Sequence, residues 1–108
     1  MSFFDLKGGV KVEVIASHPY IKVVREVTGL EKAETKDKRE LKLYQTKLTT
    51  RHREFNIEEL IDVATRKIGE EGGLIFIHTT SGLFSYTVEK IDKTFIHTVN
   101  NLIREVKK

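Results

Sequence analysis

Two short segments rich in β-branched and aromatic residues, separated by a glycine-containing turn, constrain the fold of this chain more than any other feature. They are residues 74–78 (LIFIH) and 83–88 (LFSYTV), with the turn at residues 79–82 between them. Segments of this composition favour antiparallel strands, and Gly82 can adopt the positive φ that a tight reversal requires. The pattern predicts a β-hairpin with one buried face and one wetter face.

An amphipathic helix is predicted directly after the hairpin. Asp92 is a good N-cap, and the basic residues at the end of the chain suit the negative end of a helix dipole. Apolar residues recur between these ends at helical spacing: Phe95, Ile96, Val99, Leu102, Ile103 and Val106. The stripe predicts a helix over residues 93–106 whose stability comes from docking on the sheet.

The length of 108 residues fits a single domain, residues 1–108, with one modest core. The composition of 39% hydrophobic and 32% charged residues is typical of a folded, soluble chain. There are no cysteines, which excludes disulfides and thiolate chemistry. The sequence shows no apolar run of membrane-spanning length and no signal-peptide pattern, so we expect no membrane span and a cytoplasmic location.

The N-terminal half gives weaker patterns. Residues 1–9 form an N-terminal arm that contains Phe3 and Phe4, and residues 10–15 alternate as a half-buried strand does. A turn is predicted at residues 17–19, because Pro19 fixes φ and pushes the preceding residue toward extended geometry.

The next segment has two possible structures. Residues 20–27 are rich in β-branched residues and favour a strand paired with the first one, and a helix that begins at Pro19 is the alternative. Residues 31–40 are almost wholly charged or polar and predict an exposed loop.

The middle of the chain predicts two strands, residues 41–46 and 48–55. Asn56 and Glu59 then have the spacing of a capping box. Residues 57–68 are ambiguous, because their apolar residues fit both a full helix and, from residue 61 onward, an alternating strand.

Residues 41–106 resemble bacterial pleckstrin-homology-like (PH-like) domains in their pattern of hydrophobicity. The matching pieces are the hairpin over residues 41–55, the turn and strand over residues 55–63, the hairpin over residues 73–88 and the final helix. The resemblance implies a turn at residues 56–60 and a strand at residues 61–67. It implies an α+β fold, a seven-stranded antiparallel barrel or sandwich capped by a C-terminal helix, with strands near Val10, Ile21, Leu41, Thr50, Val63, Ile75 and Phe84.

Catalytic patterns are not found. The sequence has no glycine-rich phosphate loop and no nucleophile elbow, and its four histidines lack the spacing of a metal site. A pairing of His78 with His97 or Asp62 could give a base or a ligand pair, but a surface histidine is the commoner explanation. We therefore expect no enzyme activity, no cofactor and no metal.

Two binding functions are consistent with these residues. The resemblance implies a non-catalytic interaction or scaffolding module that binds a protein, a peptide or a second copy of itself through a sheet edge, a groove or the Phe3–Phe4 arm. Many eukaryotic members of the family that the chain resembles bind phosphoinositides through basic residues in the loop between their first two strands. The corresponding residues here would be 16–20, where His18 is the only potentially basic side chain, so phosphoinositide binding is not expected.

The alternative is nucleic-acid or anionic-surface binding through the basic region of residues 36–53. A charge-mixed, solvated face is the simpler explanation of that region, because acidic residues are interspersed in it. The candidate partner-binding residues are Phe3, Phe4, Lys47, Arg51 and Arg53.

Overall fold

A computed structural model describes residues 13–28 and 31–108 of the chain. Over these residues the fold is α+β, with seven strands and one C-terminal α-helix. The strands are β1 (Ala16–Thr28), β2 (Glu31–Leu43), β3 (Lys47–Thr49), β4 (Glu54–Asn56), β5 (Leu60–Lys67), β6 (Gly73–Thr79) and β7 (Gly82–Val88), and the helix is α1 (Lys93–Val106).

All seven strands form one antiparallel sheet with the order β4-β3-β2-β1-β7-β6-β5. The two edge strands, β4 and β5, are joined by a 3-10 helix at Ile57–Glu59. Within the described residues no ladder connects these edges, so the sheet is open and the predicted closed barrel is wrong. The connection is nevertheless fixed, because the Ile57 amide donates to the Thr46 carbonyl at 3.0 Å.

The predicted hairpin and the predicted bounds of the C-terminal helix are confirmed. Strands β6 and β7 pair from Gly73↔Val88 to Thr79↔Gly82, and Gly82 has a φ of +142°. The Thr79 hydroxyl accepts from the Ser81 amide at 3.0 Å, which stabilises the turn. Helix α1 covers residues 93–106, and the Asp92 carboxylate accepts from the Thr94 amide at 3.0 Å.

The ambiguity at residues 57–68 is resolved as a turn followed by a strand. The Asn56 amide donates to Glu59 Oε1 at 3.2 Å, as expected for a capping box. The chain then enters β5 at Leu60, in place of a full helix. The strand is favoured because β5 pairs along its length with β6, from Leu60↔Thr79 to Lys67↔Gly73.

Strand β1 differs from the prediction in three ways. Residues 17–19 lie inside it, opposite residues 40–42 of β2, so no turn forms there. Residues 20–27 are a strand, as favoured, but the partner is β2. Within the described residues the ladder of β1 with β7 is limited to Ile21↔Thr87. Pro19 therefore has a ladder partner on one side only among these residues, and a strand tolerates proline at such a position.

The predicted strand over residues 10–15 is not found where it can be checked. Residues 10–12 lie outside the described residues, and residues 13–15 are not part of a strand. The Ile15 amide donates to the Leu43 carbonyl at 2.7 Å, so the chain approaches the sheet just before β1 begins.

The predicted loop at residues 31–40 is also wrong. These residues belong to β2, which faces β1 over all 13 residues of that strand. The strand prediction for residues 41–46 holds only to Leu43, and the strand predicted over residues 48–55 is two short strands with a turn between them. The described residues contain seven strands, but the strand expected near Val10 is not one of them, and the strand positions in the N-terminal half differ from the prediction.

The core lies between one face of the sheet and helix α1. Its fully buried aliphatic side chains come from β2, β3, the 3-10 helix, β5, β6 and α1: Leu41, Leu43, Leu48, Ile57, Leu60, Ile75, Ile77 and Val99. Helix α1 contributes Phe95, Val99 and Ile103, whereas Leu102 is half-buried and Val106 is exposed. Of the predicted apolar stripe, Phe95, Val99 and Ile103 therefore face the core, whereas Leu102 and Val106 lie toward its exposed side.

Helix α1 is also joined to the edge strand β5 by one side chain. Asn100 Oδ1 accepts from the Val63 amide at 2.9 Å, and Asn100 Nδ2 donates to the Val63 carbonyl at 2.8 Å. The amide side chain thus satisfies the backbone groups that an edge strand otherwise leaves unpaired. This part of the β5 edge is consequently closed to a further strand.

A buried histidine joins β1 to the start of the helix. His18 is 1% exposed, and its Nε2 atom accepts from the Asp92 amide at 2.9 Å. Because a backbone amide can only donate, Nε2 carries no proton, and Nδ1 donates to the Pro19 carbonyl at 2.7 Å. The ring also meets Phe95 edge-on, with 5.4 Å between centroids.

No helix among the described residues has the length and apolar character that crossing a membrane would require.

Candidate functional site

Strands β1 and β2 extend well beyond the rest of the sheet. Residues 23–28 and 31–36 pair only with each other within the described part of the chain, because the ladder with β7 is restricted to Ile21 and that with β3 begins at Lys42. We call these two segments the ribbon. The molecule is 56 Å long, and its Cα radius of gyration of 16.4 Å exceeds the value of about 13 Å for a compact chain of this size.

The two segments of the ribbon differ in residue type. Residues 31–36 of β2, EKAETK, carry mainly charged residues, which proteins use on exposed edges to prevent pairing. Residues 23–28 of β1, VVREVT, carry four β-branched residues and one charge of each sign. The β1 segment therefore has the composition of a strand that has partners on both sides.

A second candidate surface surrounds the turn between β3 and β4, residues 50–53. The Thr50 amide donates to the Arg53 carbonyl at 2.8 Å, which closes the turn. The Arg51 amide donates to the Tyr20 hydroxyl at 3.2 Å, so the turn is anchored to β1. Three surface depressions of about 470, 410 and 500 Å³ meet there, and Thr50 lines all of them.

We call this surface the basic face, and its cations line the three depressions. They are Lys22, Lys38, Arg39, Lys42, Lys47, Arg51 and Arg53. Several of them are paired with acids. Asp37 accepts from Arg39 Nε at 3.0 Å and lies 3.6 Å from Arg51, and Lys47 lies 3.5 Å from Glu54.

The predicted binding residues are thus only partly brought together. Lys47, Arg51 and Arg53 lie on or beside the β3–β4 turn, whereas Phe3 and Phe4 lie outside the described residues. The Arg53 guanidinium stacks over the Phe84 ring, 4.6 Å from its centroid. For Lys38 and Lys42 no ion pair is found in the described part of the chain, and sequence analysis did not select either as a candidate site residue.

The phenol side chain of Tyr86 lies beside the basic face. The Tyr20 and Tyr86 rings meet edge-on at 5.1 Å. Burial raises the pKa of Tyr86, although a hydrogen bond with Thr50 and the positive charge of Arg53 act in the opposite direction. Tyr86 is therefore neutral well above physiological pH and can donate a hydrogen bond.

The histidine pairing considered from the sequence is present in a weak form. His78 Nδ1 lies 3.8 Å from Asp62 Oδ1, across the β5–β6 ladder, and both side chains are about half exposed. Over residues 13–28 and 31–108 no group of three or more His, Asp or Glu side chains is placed to hold a metal ion. The pair therefore has no third ligand among these residues, and neither of its side chains is buried.

A scan against protein-family models and a search of the curated proteins find no match to this chain. Its functional interpretation consequently rests on the ribbon and the basic face themselves.

Proposed function

We propose that this chain is a PH-like, non-catalytic interaction module that binds a protein or peptide, or a second copy of itself, through the strand edges of the ribbon. The observation that carries the proposal is the extension of β1 and β2 past their sheet partners. The antiparallel strands and the docked C-terminal helix support only the coarser part of what the PH-like resemblance implies, an α+β fold, and the open sheet departs from the implied barrel.

The physical reason is that backbone amide and carbonyl groups on the outer sides of the ribbon have no ladder partner within the described residues. A two-stranded hairpin in water is marginally stable, because each strand forms ladder hydrogen bonds on one side only. An added strand would satisfy the amide and carbonyl groups on the open side, which is the principle of peptide recognition by strand addition. The β5 edge is less suitable, because Asn100 already occupies the backbone groups of Val63.

Photo-cross-linking in the cells that naturally produce this protein tests the proposal. A photoreactive amino acid replaces the exposed Thr35 of the ribbon, and the matched control carries it at the exposed His97 of helix α1. We expect protein adducts from position 35, identified by mass spectrometry, and none from position 97. Absence of protein adducts at position 35, or equal adducts at both positions, would contradict the proposal.

The basic face supports a second candidate function, the binding of nucleic acid or another anionic polymer. The specific observation is that three depressions lined by cations meet at one anchored turn. Lys38 and Lys42 both line the first of these depressions. They are better probes than Lys47 and Arg51, which already lie close to Glu54 and Asp37.

Charge reversal at Lys38 and Lys42 tests the second candidate. If the face binds nucleic acid, wild-type retention on immobilised DNA or RNA falls with salt, and Lys38→Glu with Lys42→Glu weakens binding by at least about tenfold at low salt and reduces the salt slope. The control pair, Lys90→Glu with Lys93→Glu, changes the net charge equally at exposed positions elsewhere. Equal losses in the two pairs, or no retention of the wild type, would exclude a specific basic face.

A further inference from the structure

We propose that the basic face binds single-stranded nucleic acid, with unpaired bases lying on the Arg53 guanidinium and the Tyr44 ring and with phosphates held by Lys38 and Lys42. This inference rests on the second candidate function, nucleic-acid binding, and specifies the form of the ligand. It is independent of the interaction proposed for the ribbon.

The Arg53 side chain is supported by aromatic rings and is also open to solvent. Its guanidinium carbon lies 4.6 Å from the centroid of the Phe84 ring and 6.0 Å from that of Phe55. Those two rings pack against each other, with 5.1 Å between centroids. Arg53 is exposed, lines two of the depressions and has no ion pair within residues 13–28 and 31–108. A guanidinium held in this way is a surface on which an unpaired base can stack.

A second stacking group lies in the same part of the basic face. Tyr44 is half-buried and lines the depression of about 410 Å³ together with Arg53. Lys47 Nζ lies 5.5 Å from the centroid of the Tyr44 ring, which places a positive charge next to this ring. This depression therefore offers stacking surfaces for two bases.

The basic face is continuous across the three depressions. Those of about 470 and 410 Å³ share Tyr44 and Arg51, and those of about 410 and 500 Å³ share Arg53. Among the described residues the acids that line them are Glu40 and Glu54, so cations outnumber acids along the whole face. A surface of this extent and charge fits a polymer of phosphates better than a mononucleotide, which would occupy one depression only.

The stacking groups favour a single strand over a duplex. In a duplex each base is stacked between its neighbours, so the basic face would contact phosphates only. In a single strand the bases can lie on aromatic or guanidinium groups while the phosphates still contact the lysines. An acidic peptide would gain the charge contacts but has no bases to stack. The arrangement of side chains therefore favours single-stranded nucleic acid.

Fluorescence anisotropy with labelled polymers tests the inference. The probes are oligothymidylate, oligouridylate, a duplex of the same length and polyglutamate, all at one low salt concentration. We expect the wild type to bind at least one of the single strands about tenfold or more tighter than the duplex and the polyglutamate. The DNA and RNA probes show which sugar is preferred, and either preference supports the inference.

The variant Arg53→Lys separates stacking from charge. Lysine keeps the positive charge but has no planar guanidinium on which a base can lie. We expect it to weaken single-strand binding about fivefold or more and to leave duplex binding almost unchanged. The control, Arg66→Lys, makes the same replacement at an exposed position of β5 outside the basic face, and it should bind like the wild type.

Tyr44→Leu is a second probe of stacking. It removes the ring and keeps an apolar side chain at a half-buried position, so it should also weaken single-strand binding while its circular dichroism stays native. Equal affinity for single strands and the duplex, or for single strands and polyglutamate, would overturn the inference. Unchanged affinity in both variants would do the same.

These results differ from failure of the proposed functions. Duplex binding that falls in Lys38→Glu with Lys42→Glu would leave the second candidate function standing although the preference for single strands is lost. Absence of binding to every nucleic acid would remove both. Protein adducts from position 35 would support the interaction module in either case.

Discussion

Val99→Asp is expected to abolish the cooperative folding of this domain. The Val99 side chain is fully buried between helix α1 and the sheet, with 0% exposure. An aspartate there would be a buried, unpaired carboxylate and would leave part of the core unfilled, which costs more than about 4 kcal/mol. Because domains of this size are stable by roughly 5–15 kcal/mol, most or all of the free energy of unfolding would be lost.

The measurement is thermal unfolding followed by circular dichroism. The matched control is His97→Asp, two residues away on the exposed side of the same helix, and its melting temperature should remain near that of the wild type. If Val99→Asp melted cooperatively at the wild-type temperature, helix α1 would not be docked on the sheet through Phe95, Val99 and Ile103.

His18→Leu is expected to give the second-largest loss of stability. Leucine is apolar and of similar size, but it cannot accept from the Asp92 amide or donate to the Pro19 carbonyl. A buried amide without a partner costs about 1–3 kcal/mol. The edge-on contact with Phe95 would also be lost. We expect a decrease of roughly 10 °C or more in melting temperature, since 1 kcal/mol corresponds to about 4–8 °C in a domain of this size.

Urea unfolding of His18→Leu beside His52→Leu checks this prediction. His52 lies exposed in the β3–β4 turn, so its replacement should leave the free energy of unfolding almost unchanged. Equal effects of the two replacements would mean that the His18 hydrogen bonds contribute nothing to joining β1 with the helix.

The C-terminal half was predictable because its patterns are local. The β-branched segments of β6 and β7, the positive φ of Gly82 and the N-cap Asp92 each depend on residues a few positions apart. The exact buried face of α1 was not predictable, because Leu102 and Ile103 both lie near its apolar stripe. Only the position of the sheet decides that Ile103 is the more buried of the two.

The N-terminal half was mispredicted where a strand depends on its partner. Residues 31–40 show no hydrophobic alternation, because much of β2 lies beyond the core and is held by the ladder with β1. At residues 17–19 the local preference of proline for a turn is overridden by pairing with residues 40–42. No pattern in the sequence indicates either of these pairings.

Only part of the candidate site could be predicted from the sequence, because the rest depends on contacts between distant residues. The sequence indicated that the cations of residues 36–53 could act together, and the β3–β4 turn does place Lys47, Arg51 and Arg53 near one another. It could not show that Asp37 and Glu54 lie beside several of those cations. The ribbon was not predicted, because its β2 segment, residues 31–36, was predicted to be a loop, although residues 20–27 were favoured as a strand.

The sequence by itself determined the elements whose residues interact within a few positions: the β6–β7 hairpin, the capping-box turn before β5, and helix α1. Tertiary structure decided the open seven-stranded sheet, the extension of the ribbon and the burial of His18. These features depend on contacts between residues far apart in the chain, such as His18 with Asp92 and Asn100 with Val63. A pattern in one segment carries no information about which distant partner will satisfy its backbone and polar groups.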